Sequence, residues 1–198
     1  MRILLNLIVI VTACGAALAQ TVTTLDRDFV SGGDVRMQLS AGAYKISASK
    51  DNKIHLSWST RDASALKKVK ASAEVKGTDA RITTDSPDNE DFKVEIQIPA
   101  RSNVALHFTA GDLAMEGIEG SKEISGYAGN LSVDVGEPAL YKEVHASVTT
   151  GDLNASAFHI SKGGLFRSFD LKGNGPYTLR VKWRAGDVNL YQRKKGSA

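Results

Sequence analysis

Aspartates that directly follow a glycine are the residues of this chain best suited to chemistry. Asp112, Asp152 and Asp187 stand in this position, and Asn130 takes the same place after Gly129. Carboxylates on neighbouring strands could serve as acid and base in glycoside hydrolysis, or could bind Ca²⁺ through their oxygens. However, nothing in the spacing demands a carboxylate pair, and the nonapeptide calcium repeat needs several glycines where each of these corners has one. We therefore predict no catalytic residue, no metal site and no cofactor.

The four histidines do not form a site by their spacing. His107 and His145 each lie between apolar residues and should therefore point away from a core, whereas His55 and His159 are distant from them in the chain. A zinc site needs ligands that converge on one point. We predict no zinc site from this pattern.

Each of these aspartates lies in a sequence repeat that occurs four times. The four corners are Gly111-Asp112, Gly129-Asn130, Gly151-Asp152 and Gly186-Asp187. Apolar or small residues stand five, three and one positions before each glycine, and again two and four positions after it. In the first copy these include Leu106 and Phe108 before the corner and Leu113 and Met115 after it. The repeat therefore predicts two short strands joined by a corner.

A fifth, degenerate copy is centred on Phe169, with Phe166 three residues before it, so that corners recur at intervals of 18, 22, 18 and 17 residues. Gly32-Gly33-Asp34 is a much weaker echo. Inward-facing residues stand at odd distances in sequence before the corner glycine and at even distances after it. Only a turn can make this change without exposing the apolar face. Glycine accepts positive φ, and Asp or Asn can accept hydrogen bonds from nearby backbone amides. The corner residues are therefore interpreted as structural.

Two all-β architectures accommodate these corners. In a right-handed β-solenoid each copy is one coil of about 18–22 residues, and equivalent side chains stack about 4.8 Å apart. In an antiparallel meander or sandwich each Gly-Asp would be a tight hairpin loop. The pattern alone does not separate them, but a period near 20 residues and the small residues beside the corners favour the solenoid.

The side chains that should face outward from the repeat carry the candidate binding residues. Two and four positions before the corners stand His107, Thr109, Tyr127, Thr149, Lys182 and Arg184. Solenoids hold partners on such flat stacked faces. A hydrated face rich in Thr and Ser is the alternative, because antiparallel sheets commonly expose one polar side.

Segment 20–100 also reads as strands. Val35, Met37 and Leu39 alternate with polar residues, and similar runs surround Ile46 and Leu56. Asp51-Asn52 between the last two runs suits a hairpin turn. We predict one domain over 20–198, with N-terminal strands in 20–100 and repeat coils in 101–198.

The first residues, MRILLNLIVIVTACGAALAQ, are typical of a secretory signal peptide, cleaved after Ala19. The mature protein would then be periplasmic, exposed at the cell surface or secreted, without a transmembrane span. Val11-Thr12-Ala13-Cys14 also resembles a lipobox, and membrane anchoring follows only if Cys14 is lipidated. The residues after Cys14 stay apolar, which favours cleavage after Ala19.

The formal charge of +3 is small for 198 residues, and the only long basic run is Arg193-Lys194-Lys195. Nucleic-acid-binding proteins usually concentrate Lys and Arg along one face, so we predict no nucleic acid partner.

The run VEIQIPARSNVALHFTAGDLAMEGIEG, followed by further Gly-Asp corners, resembles the bacterial putative-adhesin domains, a family without an assigned function. The likeness extends from Asp34 over nearly all of the mature chain. It implies an exported, solenoid-like domain without established catalytic residues. We therefore predict a non-enzymatic, adhesin-like structural or interaction module of the cell envelope, whose partner is an envelope or extracellular protein or glycan. The alternative is a carbohydrate-active enzyme on the same scaffold.

Overall fold

Alternating apolar side chains produce fifteen strands in the computed structural model, which describes residues 22–61, 63–86 and 91–193. They form one mixed sheet, so the predicted all-β class is confirmed. The strands are β1 (Val22–Asp28), β2 (Asp34–Leu39), β3 (Gly42–Ser49), β4 (Lys53–Ser59), β5 (Lys70–Lys76), β6 (Asp79–Asp85), β7 (Lys93–Pro99), β8 (Asn103–Glu116), β9 (Lys122–Asp134), β10 (Tyr141–Thr150), β11 (Leu153–Ala155), β12 (Ile160–Lys162), β13 (Leu165–Lys172), β14 (Tyr177–Ala185) and β15 (Val188–Tyr191). A four-residue helix α1 (Ala63–Leu66) and 3-10 turns at Pro138–Leu140 and Ser156–Phe158 complete the described elements.

The long strands β8 and β9 pair in parallel on both sides of their corner glycines, Gly111 and Gly129. A tight antiparallel hairpin at each corner, as a meander would require, is therefore wrong for this pair. We call the residues before each corner glycine the first arm and those after it the second arm. The first arm of β8 pairs with β2 and its second arm pairs with β3.

The corners stack in an order that differs from their order in the sequence. Gly42 pairs with Gly111, and Gly111 pairs with Gly129. The chain then passes from β9 to β10, yet the next neighbour of β9 is β14, whose far side pairs with β10. Gly186 therefore lies between Gly129 and Gly151 in the stack.

The close approach of neighbouring corners explains why glycine occupies them. Gly129 has a φ of 105°, and a Cβ at this position would overlap the carbonyl oxygen of Gly111. The same overlap recurs between Gly186 and Gly129 and between Gly151 and Gly186. A side chain would thus be opposed by its own backbone conformation and by the neighbouring corner.

Gly42 is a corner that the sequence analysis did not identify. Met37 and Leu39 pair with Leu106 and Phe108 before it, while Tyr44 pairs with Leu113 after it. The weak echo at Gly32-Gly33-Asp34 is not a corner, because Asp34 begins β2 and pairs with Asn103.

The prediction of a fifth, degenerate corner at Phe169 is wrong. Phe169 lies within β13, which runs antiparallel to β10 with Phe169 opposite Ala146. Its side chain is buried, so the strand keeps an inward aromatic residue without a corner. The large Phe169 side chain fits here because β13 is extended at this position and has no corner.

The hairpin predicted at Asp51-Asn52 is also wrong. Strand β7 lies between β3 and β4, pairing in parallel with β3 and antiparallel with β4. Strands β1 and β5 lie at one end of the sheet and β13 and β12 at the other, each paired antiparallel to its neighbour. Strands from segment 20–100 and from segment 101–198 thus belong to one sheet.

The inward side chains of both arms form one hydrophobic core. The Tyr44 ring on a second arm meets the Phe108 ring on a first arm at 5.5 Å, so the two arms face each other across the core near the corners. Phe108 also stacks with Trp183 at 5.8 Å, although β9 lies between their strands. The rings meet because Gly126 of β9 leaves the space free, and a Cβ there would overlap the Trp183 ring.

The predicted signal peptide and Cys14 lie outside the described residues. In the part of the chain that the structure describes, no helix is long and apolar enough to cross a membrane.

Candidate functional site: the outward face of the first arms

The six predicted binding residues lie on four adjacent strands, in the order β8, β9, β14 and β10. Thr109, Tyr127, Arg184 and Thr149 form one row beside the corners. His107 and Lys182 belong to the next row, which Ser125 and Ser147 complete. All six predicted residues are exposed, because alternation turns every second residue of a first arm away from the core. We call these two rows the ladder face.

Tyr127 and Arg184 form the centre of the ladder face. The Tyr127 side chain is 56% exposed, and the guanidinium carbon of Arg184 lies 4.8 Å from the centre of its ring. This arrangement is a cation–π contact, which restrains both side chains while leaving the guanidinium hydrogens accessible. The pair therefore presents a pre-positioned cation above the sheet.

Strand β14 carries three cations on its outward side. Arg180 donates to the carboxylate of Glu143 at 3.2 Å, so its charge is compensated. Lys182 and Arg184 have no acidic side chain within ion-pair distance among the described residues. The ladder face thus carries two uncompensated positive charges next to the Tyr127 ring.

Hydroxyl groups surround these cations, and a second exposed aromatic ring lies on the edge strand. Nδ1 of His107 lies 3.1 Å from the hydroxyl of Ser125, and the hydroxyl of Thr109 donates to the Leu39 carbonyl at 3.1 Å. Phe166 lies between Leu165 and Arg167 on the edge strand β13 and is 79% exposed. The surface is therefore polar and basic, with the Tyr127 ring against Arg184.

The corner aspartates lie along the second arms, away from the ladder face. Asn130 donates its side-chain amide to Asp112 at 3.0 Å, and Asp187 accepts the backbone N–H of Asp152 at 3.0 Å. These carboxylates therefore link neighbouring corners, whereas the sequence predicted that each would cap its own turn. Asp152 and Asp187 are exposed neighbours, but Asp112 is separated from them by Asn130 in the stack.

The histidines are not brought together. His145 lies 2.7 Å from Asp170 on β13, and His55 bridges Asp26 on β1 and Asp51 in the preceding turn. Hydrogen bonds to Asp51 and then Asp26 raise the pKa of His55. His107 and His145 point outward as predicted. Within residues 22–61, 63–86 and 91–193, no three His, Cys, Asp or Glu side chains are grouped to hold a metal ion.

Lys122 is a buried charged group that the sequence analysis missed. It lies seven positions before Gly129, in register with Val104 and Leu179, and only 1% of it is exposed. Its ammonium donates to the Tyr141 hydroxyl at 2.8 Å and to the Gly120 carbonyl at 3.2 Å. Burial lowers the pKa of Lys122 to about 8, against the opposing effects of Asp134 and Glu119.

Burial also raises the pKa of Tyr141, whose hydroxyl donates to the Val135 carbonyl at 2.9 Å. The Lys122 ammonium is enclosed by these groups and has no access to a substrate from solvent. Lys122 and Tyr141 therefore form a polar contact within the core, and they add no catalytic group to the ladder face.

Comparison with known proteins identifies the fold. No protein-family model and no curated protein sequence matches the chain. A "putative cell adhesion protein" from Clostridium sporogenes is 14% identical in sequence, with a TM-score of 0.53 over 87% of this chain and 100% of that chain. A "putative adhesin" from Bacteroides fragilis is 11% identical over 86% of this chain and 97% of its own, but its TM-score of 0.36 is too low to indicate a shared fold. The chain is therefore similar in fold to the Clostridium sporogenes protein.

Proposed function

We propose that this protein is a non-enzymatic, adhesin-like interaction module of the bacterial cell envelope that holds its partner on the ladder face. The proposal includes export directed by residues 1–19, membership of the putative-adhesin family and a solenoid arrangement of the stacked corners. Its main support is the set of exposed side chains on four adjacent strands, centred on Tyr127 and Arg184. The remaining first-arm surface offers no comparable pairing of an exposed aromatic ring with an uncompensated cation among the described residues.

The test is retention of labelled cell-envelope fragments from the source bacterium on beads that carry residues 20–198. The double substitution Tyr127→Ala with Arg184→Ala should reduce retention at least about fivefold, because interface energy is concentrated in a few aromatic and Arg side chains. Lys45→Ala with Lys93→Ala removes two exposed cations from another part of the sheet and should leave retention unchanged. Equal retention by all three proteins would refute a function on the ladder face.

A carbohydrate-active enzyme remains the competing hypothesis, and the same fragments test it. Asp152 and Asp187 are adjacent, and retaining glycosidases place two carboxyl groups about 5 Å apart. However, Asp187 already accepts a hydrogen bond from the Asp152 backbone, and both side chains are exposed. Release of reducing sugar that disappears in Asp187→Asn would replace the adhesin-like proposal with an enzymatic one.

A further inference from the structure

The uncompensated cations of the ladder face indicate the chemistry of its partner. Arg36 and Arg180, on the same side of the sheet, are paired with Asp79 and Glu143 at 3.0 and 3.2 Å. Lys182 and Arg184 lack such partners among the described residues, and they are two positions apart on β14. Their side chains therefore leave the sheet about 7 Å apart on the same side. Two neighbouring cations at this spacing suit a ligand with more than one anionic group.

The contact with Tyr127 makes Arg184 suited to a carboxylate. A free arginine side chain loses considerable rotamer entropy when it binds, but stacking against a ring has already restricted this one. Its planar guanidinium can then donate two parallel hydrogen bonds to a carboxylate. Lys182 supplies a second, non-directional positive charge next to it.

The surroundings of the cations suit sugar rings. Thr109, Ser125, Ser147 and Thr149 offer hydroxyl groups that can donate and accept hydrogen bonds. The Tyr127 ring is exposed beside the cations, and a second exposed ring, Phe166, lies on the edge strand β13. Apolar C–H faces of a sugar pack on aromatic rings, while its hydroxyls meet polar side chains.

Other polyanions fit this surface less well. The net charge of +3 and the two uncompensated cations of the ladder face provide no continuous track for a nucleic acid backbone. An acidic peptide would need apolar pockets for its side chains, because binding energy in protein interfaces comes from anchors that are fully desolvated. The small side chains of the ladder face are instead hydroxylated.

We propose that Tyr127, Lys182 and Arg184 form a binding site for the carboxylates of an acidic polysaccharide that contains uronic acids. The chain of sugars lies across β9, β14 and β10, with its carboxylates on Arg184 and Lys182 and a sugar ring against Tyr127. This site deepens the proposed function and rests on it, since it assigns a class of partner to the same face.

The experiment is isothermal titration of residues 20–198 with three probes. They are polygalacturonate oligosaccharides, the same oligosaccharides after reduction of their carboxyl groups, and single-stranded oligothymidylate of matched length. The polygalacturonate oligosaccharides should bind, and their Kd should rise at least tenfold in Lys182→Ala with Arg184→Ala and about fivefold in Tyr127→Ala. Lys45→Ala with Lys93→Ala removes the same number of charges elsewhere and should leave the Kd unchanged. The reduced oligosaccharides should bind at least tenfold more weakly.

Three outcomes would overturn this inference. Equal affinity for the reduced oligosaccharides would show that the carboxylates play no part, and equal affinity for oligothymidylate would show a general polyanion surface. Absence of polygalacturonate binding would also refute it. If Tyr127→Ala with Arg184→Ala still loses retention of envelope fragments in that last case, only the assignment of the partner fails. If retention is unchanged as well, the proposed function fails with it.

Discussion

Lys122 occupies a core position that neighbouring strands fill with apolar side chains. Val104 and Leu179 flank it directly, and Val35 and Val144 occupy the next strands in the same row. A buried ammonium is costly unless it is hydrogen-bonded, and here Tyr141 and the Gly120 carbonyl satisfy two of its hydrogens. The remaining free-energy cost of burying its charge lowers the pKa of Lys122 to about 8, from 10.5 for a free side chain.

This pKa predicts an unusual dependence of stability on pH. Between about pH 8 and 10.5 the unfolded chain holds a proton on Lys122 that the folded chain has released, so the free energy of unfolding rises with pH. The slope approaches about 1.4 kcal/mol per pH unit, and about 1.6 kcal/mol is gained between pH 8 and 9.5. Tyr141 acts in the opposite direction above pH 10, because the folded chain keeps a phenol proton that the unfolded chain loses.

Urea unfolding at pH 7.5, 8.5 and 9.5 measures this effect. Lys122→Met should abolish the rise, whereas Lys142→Met, which changes an exposed lysine on β10, should preserve it. Identical slopes for Lys122→Met and the unchanged protein would refute the assignment. The position could have been found from the sequence, since Lys122 is the only charged residue seven positions before the four predicted corners.

Gly126 and Trp183 explain how β14 comes to lie beside β9. The inward row three positions before the corners contains Leu39, Phe108, Gly126, Trp183 and Val148. A Trp in this row needs a neighbour without a side chain, and Gly126 provides it. The indole N–H of Trp183 then donates to the Gly129 carbonyl at 2.8 Å. The shapes of these two residues favour one pairing among several strands with similar apolar patterns.

A double-mutant cycle tests this pairing. Gly126→Ala should cost about 2 kcal/mol of unfolding free energy, because the new methyl group overlaps the Trp183 ring. Trp183→Leu should cost about 3 kcal/mol through the lost ring. Together they should cost less than the sum by about 1 kcal/mol or more, since the methyl group then occupies vacated space. Additive losses in urea unfolding would mean that the two residues do not select each other.

The corners could be predicted from sequence wherever Gly precedes Asp or Asn. The corner at Gly42 was not predicted because Ala43, and not Asp or Asn, follows it. The spacing of Met37, Leu39 and Tyr44 around it nevertheless matches the other copies. Phe169 was assigned wrongly because an inward aromatic residue is compatible with a plain antiparallel strand as well as with a corner. A local pattern specifies which side chains face inward, but several strands share that pattern.

The order of the strands could not be predicted from the repeat. Sequence neighbours usually pair, yet β7 lies between β3 and β4, and β14 lies between β9 and β10. Both insertions bring in a strand that is made later in the chain. The exposed face was easier to predict, because alternation alone decides which residues of a first arm point outward. Which cations of that face are left uncompensated depends on partners such as Glu143, and these are known only once the strand pairing is known.

The late insertion of β14 makes the whole C-terminal part of the sheet dependent on the last strands. Without 176–198, β9 and β10 lose their shared partner, and the core loses Trp183, Val181 and Leu190. A chain that ends at Gly175 should therefore lack a cooperative thermal transition, and its β9 and β10 amides should exchange hydrogen rapidly. A chain that ends at Arg193 keeps every described strand and should unfold as the full chain does. Slow exchange in β9 and β10 of the shorter chain would show that these strands pair without β14, contrary to this interpretation.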